Sequence, residues 1–267
     1  MTQVKKSNKS LAFTDRGQGP VVVLLHGLFG SRDNLTQLAN DLAVDHRVIS
    51  VDLPGHGESE PINDYAHESM ANAIAGLLSE LDLLRLSLIG HSLGGKIGMQ
   101  VASEAASNPA LTIEKLVIVD IAPRDYPPNH NDVFTALNQV PLDNKIDRRD
   151  ADEIMSKSIT EPAIRAFLLK SFRRNDNGAW SWQFDLTELE EQYMKLAKAP
   201  TLTNQVRCPT LFIKGALSDY ILPRDERPIR QAFANPEFKL INNTGHWPHA
   251  EKPATFNHIV RRFITRS

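Results

Sequence analysis

The chain has 267 residues, of which 41% are hydrophobic and 23% are charged. This composition is typical of a soluble, enzyme-sized domain with a full hydrophobic core. Its 30 Lys and Arg against 32 Asp and Glu give a net charge of −2, and no Lys or Arg cluster stands out beyond short pairs, which argues against a nucleic-acid partner. The longest aliphatic run, Val21–Leu25, is far shorter than the roughly 18 residues that a membrane span needs, so no transmembrane helix is expected.

The first ten residues are polar and basic, and no apolar stretch of signal-peptide length follows them, so we expect a cytoplasmic protein. The single cysteine, Cys208, excludes an intrachain disulfide and a cysteine-based metal cluster.

Short aliphatic runs rich in β-branched residues recur along the chain, as expected of strands buried on both faces of a parallel sheet. Segments of helical period separate them, and this βαβ rhythm predicts a mostly parallel sheet with helices on both sides. The predicted strands are 21–25, 47–51, 86–89, 116–119, 210–213 and 238–241, and the clearest helical stripe is Met70, Ile74, Leu77, Leu78 and Leu81.

The alternation stops after Val119 and resumes only at Pro209. We therefore predict a core of residues 1–122 and 206–267 with a helical cap, residues 123–205, inserted between its two parts. Amphipathic helices are predicted around 164–171 and, more weakly, around 189–196. We expect most of the cap's aromatic side chains to form its own small core and some to face the cleft below; they are Phe134, Phe172, Trp180, Trp182 and Phe184.

The sequence Gly90-His-Ser-Leu-Gly-Gly95 directly follows a predicted strand and precedes a segment that can form a helix. This context fits the Gly-x-Ser-x-Gly nucleophile elbow, in which glycines leave space for a tight turn and the serine hydroxyl projects above the sheet. We predict Ser92 as a nucleophile and the Leu93 amide as one donor of an oxyanion hole.

A serine hydroxyl needs a base within hydrogen-bond reach. Of the nine histidines, His246 is the best placed, because it follows the last predicted strand at the sheet edge where open parallel sheets put their sites. His249 is the nearest competitor, and we expect it at the surface or facing the cap.

Two aspartates end predicted strands in the order that this arrangement permits, Ser before acid before His. Asp120 closes the strand that contains 116–119, and Asp219 follows the strand at 210–213. Either could orient the imidazole and stabilise its charged form.

The glycine-flanked loop His26-Gly-Leu-Phe-Gly30 follows the first buried strand, where hydrolases of this architecture present the second oxyanion amide. We predict Leu28 as that donor, Phe29 as a wall of the acyl pocket, and His26 as a packing residue beneath the loop.

These motifs, together with Asp52-Leu-Pro-Gly-His-Gly-Glu-Ser59 and Gly245-His-Trp-Pro-His-Ala-Glu-Lys-Pro253, resemble the α/β-hydrolase superfamily over essentially the whole chain. Details such as Asp120-Ile-Ala-Pro123 and Phe167-Leu-Leu-Lys-Ser-Phe172 look most like bacterial YbfF-type carboxylesterases. The resemblance implies a serine esterase with a helical cap that acts on carboxylic esters, with acyl thioesters as a second substrate class.

The resemblance also bears on the acid. In the wider superfamily the acid usually falls at the position of Ser218, whereas here the aspartate comes one residue later, at Asp219. In the YbfF-type subgroup the acid is associated with the position of Asp120, and a serine matching Ser218 approaches the histidine. We therefore favour Asp120 over Asp219.

The expected activity is hydrolysis of a small-molecule acyl ester with a short or medium acyl chain, through an acyl-serine and without a metal or organic cofactor. A lyase or carbon–carbon bond hydrolase on the same scaffold is the alternative. It would favour cap arginines near the substrate, and Arg124, Arg165, Arg173 and Arg174 are the candidates. A non-enzymatic receptor is a third interpretation. Halide or epoxide chemistry is disfavoured, because those relatives usually carry an aspartate where Ser92 stands.

Overall fold

An eight-stranded sheet forms the centre of the fold, in a computed structural model that describes residues 4–7, 11–143, 145–175 and 177–266. The predicted core and cap ranges include residues 1–3, 8–10, 144, 176 and 267, which lie outside the described residues. The strands of the chain are β1 Val4–Lys6, β2 Ala12–Arg16, β3 Val21–Leu25, β4 Arg47–Val51, β5 Arg85–His91, β6 Thr112–Val119, β7 Phe172–Arg174, β8 Trp180–Trp182, β9 Thr210–Gly215 and β10 Pro236–Ile241. In the large sheet the order is β1-β2-β4-β3-β5-β6-β9-β10, parallel from β4 to β10, with antiparallel pairing of β2 to both β1 and β4.

Helices cover both faces of this sheet. The clearest predicted stripe lies on α2, where Met70, Ile74, Leu77 and Leu78 are buried. The helices of the core are α1 Thr36–Leu42, α2 His67–Glu80, α3 Leu93–Ala105, α9 Glu226–Ala232, α10 Pro248–Glu251 and α11 Pro253–Ile264. The apolar side chains of α2 and α3 pack in one hydrophobic cluster and those of α1 and α11 in another, as expected of a sheet buried on both sides.

All six strands predicted from aliphatic runs are present, and with the flanking helices they confirm the α/β fold class. The edge strand β1 and its neighbour β2 were missed. β2 reads Ala-Phe-Thr-Asp-Arg and pairs antiparallel with β4, so it carries polar residues that the aliphatic criterion does not detect.

Between β6 and β9 the chain forms five helices and the antiparallel β7-β8 hairpin, in place of a helical cap alone. These helices are α4 Asn131–Gln139, α5 Arg148–Met155, α6 Pro162–Leu168, α7 Leu186–Glu191 and α8 Tyr193–Ala197. In the described part of this segment neither strand pairs with the large sheet. The two predicted amphipathic helices are interrupted: α6 gives way to a 3₁₀ turn at Leu169–Ser171, and the weaker pattern is shared between α7 and α8. The core and cap boundaries given above remain a prediction.

Over the described ranges, none of the helices has the length and apolar character required to cross a bilayer.

Candidate active site

Ser92 forms the sharp turn between β5 and α3. Its backbone has φ 51° and ψ −118°, a conformation that L-residues rarely adopt and that costs about 1–3 kcal/mol unless the surroundings impose it. The surroundings do so, because the Ser92 amide donates to the Val119 carbonyl at 2.9 Å and the Ser92 carbonyl accepts from the Gly95 amide at 2.8 Å. The turn therefore has the geometry expected of a nucleophile elbow.

The glycines on either side of Ser92 are required by close backbone contacts. A Cβ on Gly90 would lie 2.2 Å from the Gly94 carbonyl oxygen, and a Cβ on Gly94 would lie 2.4 Å from that of His26. Neither neighbour is a flexible side chain, so an added methyl group could only be accommodated by moving the backbone. The pattern that identified the elbow thus has a steric cause at both glycines.

His246 and Asp120 are joined by a hydrogen bond of 2.8 Å between Nδ1 and Oδ2. Asp120 is fully buried, follows β6 directly, and accepts from the Gly215 amide at 3.0 Å through Oδ1 and from the Ser218 hydroxyl through Oδ2. Because an ionised carboxylate can only accept, His246 donates from Nδ1, and Nε2 is left unprotonated on the neutral ring. That is the tautomer a general base requires.

Asp219, the other candidate acid, is exposed, and the hydrogen bond to His246 is made by Asp120 instead. The backbone carbonyl of Asp219 accepts a hydrogen bond from Arg124 at 3.4 Å. Ser218, one residue earlier, is the group from this loop that contacts the carboxylate.

Tyr220 and His91 hold the His246 ring and loop in place, and sequence reasoning did not single them out. The Tyr220 ring stacks on the imidazole with centroids 3.8 Å apart, and the His91 side chain donates from Nε2 to the His246 carbonyl at 2.8 Å. Burial lowers the pKa of His91 well below its usual value, so His91 is neutral. The only sequence signal for His91 is its place inside the elbow motif.

His249 is buried, so the part of the expectation that placed it at the surface was wrong. It lines a groove together with Lys170 and Arg173 of the predicted cap, as the other part of the expectation has it. It also packs on the His91 ring at a centroid distance of 4.5 Å, and burial lowers its pKa to about 3.

Two neutral histidines support the loop predicted to form part of the oxyanion hole. The Nε2 of His26 accepts from the Leu53 amide at 3.0 Å, and that of His56 accepts from the Phe29 amide at 3.3 Å. Their Nδ1 atoms face the carbonyls of Gly27 and Pro54, which can only accept, so each ring carries its proton on Nδ1. Burial lowers the pKa of His26 to about 4 and that of His56 to about 3. The packing role predicted for His26 is confirmed.

The two amides predicted to hold an oxyanion belong to Leu28 and Leu93, and both residues line the cavity that contains Ser92 and His246. Leu93 is the first residue of α3, where backbone N–H groups lack partners inside the helix. The Phe29 amide is already paired with His56, whereas the Leu28 amide has no partner among the described hydrogen bonds.

The cavity has a volume of about 300 Å³. Within the described residues, no hydrogen bond joins the Ser92 hydroxyl to His246, although both line this space. Such catalytic contacts are often loose in free enzymes and tighten around the substrate. Beyond these two residues, the aromatic lining consists of Phe29, His91, Tyr126, His130, Phe167, Tyr193, Tyr220 and Trp247.

The five cap aromatics named from the sequence lie outside this lining, so the expectation that some of them face the cleft was wrong. Phe172 stacks on Trp180 at 4.8 Å, and Phe134 and Phe184 pack against Phe29 at 5.3 and 5.2 Å. Phe134 and Phe184 therefore support the pocket wall indirectly, through their contacts with the lining residue Phe29.

The four cap arginines form ion pairs or hydrogen bonds outside the cavity. Arg165 pairs with Asp152 at 2.8 Å and Arg173 with Asp33 at 3.0 Å. Arg124 pairs with Asp225 at 3.2 Å, and Arg174 donates to the Gly178 carbonyl at 2.6 Å. None of the four lines the cavity.

A model of the alpha/beta hydrolase fold matches residues 20–253. The chain belongs to the α/β-hydrolase family. It is 36% identical over 249 residues to esterase YbfF of Escherichia coli strain K12, covering 91% of this chain and 92% of that protein. It is 34% identical over 253 residues to sn-1-specific diacylglycerol lipase ABHD11 of Mus musculus, covering 92% of this chain and 81% of that protein.

A solved structure described as a marine microorganism esterase superposes with a TM-score of 0.88 at 30% identity, covering 98% of this chain and all of that one. These relatives confirm the YbfF-type resemblance within the α/β-hydrolase family. The protein is a hydrolase enzyme of this fold.

Proposed function

We propose that the protein is a serine carboxylesterase that hydrolyses acyl esters through an acyl-serine. The observation that carries the proposal is the 2.8 Å hydrogen bond from His246 to buried Asp120, in a cavity also lined by the strained elbow residue Ser92. The names of the relatives, an esterase, a diacylglycerol lipase and a marine esterase, support the same reaction class.

In this mechanism the Nε2 of His246 removes the proton from the Ser92 hydroxyl as its oxygen attacks the ester carbonyl. The Leu28 and Leu93 amides hold the resulting oxyanion, and Asp120 stabilises the imidazolium that forms. His246 then protonates the departing alcohol. A water molecule activated by the same imidazole attacks the acyl-serine and releases the carboxylic acid, which regenerates Ser92.

The pocket favours a short or medium acyl chain. Its volume of about 300 Å³ lies at the small end of the range for ligand pockets, and its walls are mostly apolar. Phe29 contributes one wall and the cap residues Ile164, Phe167 and Leu168 contribute another. Acyl thioesters present the same carbonyl chemistry and form the second proposed substrate class.

The positions of the arginines argue against the lyase or carbon–carbon bond hydrolase alternative. A polar, anionic substrate needs a cation beside the reacting atoms, but Arg124, Arg165 and Arg173 are paired with carboxylates outside the cavity. Lys96 does line the cavity, but its ammonium donates to backbone carbonyls.

A series of p-nitrophenyl esters of increasing acyl length tests the proposal. We expect a burst of p-nitrophenol, an optimum at short or medium chains, and loss of both in Ser92→Ala. Ser87→Ala, at a buried serine on the same strand, is the matched control and should keep the burst. Inactivity of the wild-type protein toward every ester, or an undiminished burst in Ser92→Ala, would refute the assignment.

A further inference from the structure

Lys96 is a buried lysine on α3, one helical turn beyond Ser92, and only 3% of its surface is exposed. Its Nζ donates to the carbonyls of Leu196 at 3.3 Å and Ala197 at 2.9 Å, and also to that of Lys198. These carbonyls are at the C-terminal end of α8, where helix carbonyls lack partners and a positive charge is favourable. The ammonium therefore uses all three of its N–H groups on one end of one cap helix.

Helix α8 forms part of the wall of the cavity that also contains Ser92. Tyr193, Leu196 and Ala197 line the cavity, as does Lys96 itself. The Lys96 ammonium thus connects a cavity-lining helix of the cap to the helix that begins at the nucleophile elbow. The Ala197 carbonyl also accepts a hydrogen bond from the Tyr126 amide, at 2.9 Å.

Three carbonyls can only accept, so this contact requires the ammonium form. A neutral amine has two N–H groups and a lone pair, so one of the three carbonyls would lose its hydrogen bond from Lys96 and face that lone pair. Burial lowers the pKa of Lys96 to about 7, which places this change near neutral pH.

Four other groups act on the same ammonium. The Asp125 carboxylate favours the charged form and the Arg124 guanidinium disfavours it. The Tyr126 ring lies 4.8 Å from Nζ. On α2, burial lowers the pKa of His67 to about 4, with the Lys96 charge as a further cause, so His67 is neutral.

We propose that Lys96 is a positioning residue whose ammonium fastens the end of α8 over the pocket and thereby sets the affinity for the acyl chain. Lys96 acts through α8 and does not touch the reacting atoms. This rests on the esterase function proposed above for its kinetic consequence, whereas the attachment of α8 can be measured without a substrate.

The test compares Lys96→Met with Lys195→Met. Methionine keeps the unbranched side chain and removes the charge, and Lys195 is a half-exposed lysine of the same helix that pairs with Asp64 at 2.7 Å. We expect Lys96→Met to raise KM for a p-nitrophenyl octanoate ester about tenfold, the effect of about one charged hydrogen bond, with kcat for the acetate ester within about twofold of wild type. Lys195→Met should match wild type for both esters. An unchanged octanoate KM in Lys96→Met, or equal losses of kcat on both esters, would overturn the proposal.

Hydrogen exchange of the α8 amides is the second measurement, and it separates this proposal from the esterase assignment. In the wild-type protein the protection factors of α8, corrected for intrinsic rates, should fall between pH 6 and pH 9, while those of α3 stay constant. Constant α8 protection over this range overturns the role of the ammonium even if every ester is hydrolysed. Falling protection supports it even if none is, and this wild-type series decides the matter if Lys96→Met does not fold.

Discussion

Replacing Asp120 by Asn should inactivate the enzyme while leaving the site in place. The carboxylate now accepts three hydrogen bonds, from Gly215, Ser218 and His246. An asparagine has one acceptor oxygen and one NH₂ group. The backbone amide of Gly215 is a fixed donor, so the oxygen must remain on that side and the NH₂ must face His246.

The consequence is a change of tautomer. His246 can accept from that NH₂ only if Nδ1 is unprotonated, and the neutral ring then carries its proton on Nε2, where it cannot take one from Ser92. In a Ser-His-Asp triad the wrong histidine tautomer lowers kcat by about three to four orders of magnitude, equivalent to a loss of about 4–5 kcal/mol of transition-state stabilisation. KM should change far less, because Asp120 is fully buried behind the imidazole and does not contact the substrate.

The assay is kcat and KM for a short p-nitrophenyl ester with wild type, Asp120→Asn and Asp219→Asn, alongside thermal unfolding of all three. Asp219 is exposed, so its variant should retain activity within about twofold and an unchanged Tm. The reasoning is refuted if Asp219→Asn shows the large loss of kcat and Asp120→Asn does not.

Two predictions concern stability. Gly94→Ala should destabilise the fold by about 1–3 kcal/mol, because its Cβ would lie 2.5 Å from the Leu25 carbonyl oxygen. In Gly98→Ala, on the same helix, the nearest atom would lie 3.5 Å from the new Cβ, which is an ordinary contact. That variant should therefore be neutral, or stabilised by up to about 1 kcal/mol. Urea unfolding compares the two, and equal effects would contradict the steric account. Acid should also destabilise the protein. The pKa values of His26 and His56 are about 4 and about 3, below the unfolded value of 6.5, so stability is complete above pH 6.5 and falls as pH decreases toward the folded values. Each should contribute a loss of about 2 kcal/mol between pH 7 and pH 5, and a constant urea midpoint over that range would argue against buried neutral histidines.

Much of the fold was predictable because its parallel strands are buried on both faces. An aliphatic run such as Val21–Leu25 is the pattern expected of such a strand, and it forms β3 with the predicted bounds. Strand β2, next to the edge strand β1, was not predictable by the same criterion, because it carries Asp15 and Arg16, which are only half-buried there. In the cap, the helices are so short that a spacing of three and four can extend across a helix boundary, as it does from Leu189 to Tyr193.

At the site, the residues in local motifs were accessible and those that depend on tertiary contacts were not. Ser92 and His246 follow strands whose carboxyl ends meet at one edge of the sheet, so order along the chain was sufficient to bring them together. Tyr220 and Lys96 have no such pattern. A tyrosine in a loop and a lysine on a helix are ordinary in sequence, and only the structure shows that one stacks on the imidazole and the other is buried.

The position of the acid follows from sheet topology. β6 and β9 are neighbours and run parallel, with Val119 paired to Ile213, so the residues after both strands converge on the same side of His246. A carboxylate after either strand could reach Nδ1. Here Asp120 supplies it from β6, and the β9 loop contributes donors, the Gly215 amide and the Ser218 hydroxyl, that hold the charge where the imidazole needs it. The reaction requires a negative charge next to Nδ1 of His246. Because β6 and β9 are adjacent and parallel, a carboxylate after either strand can provide that charge.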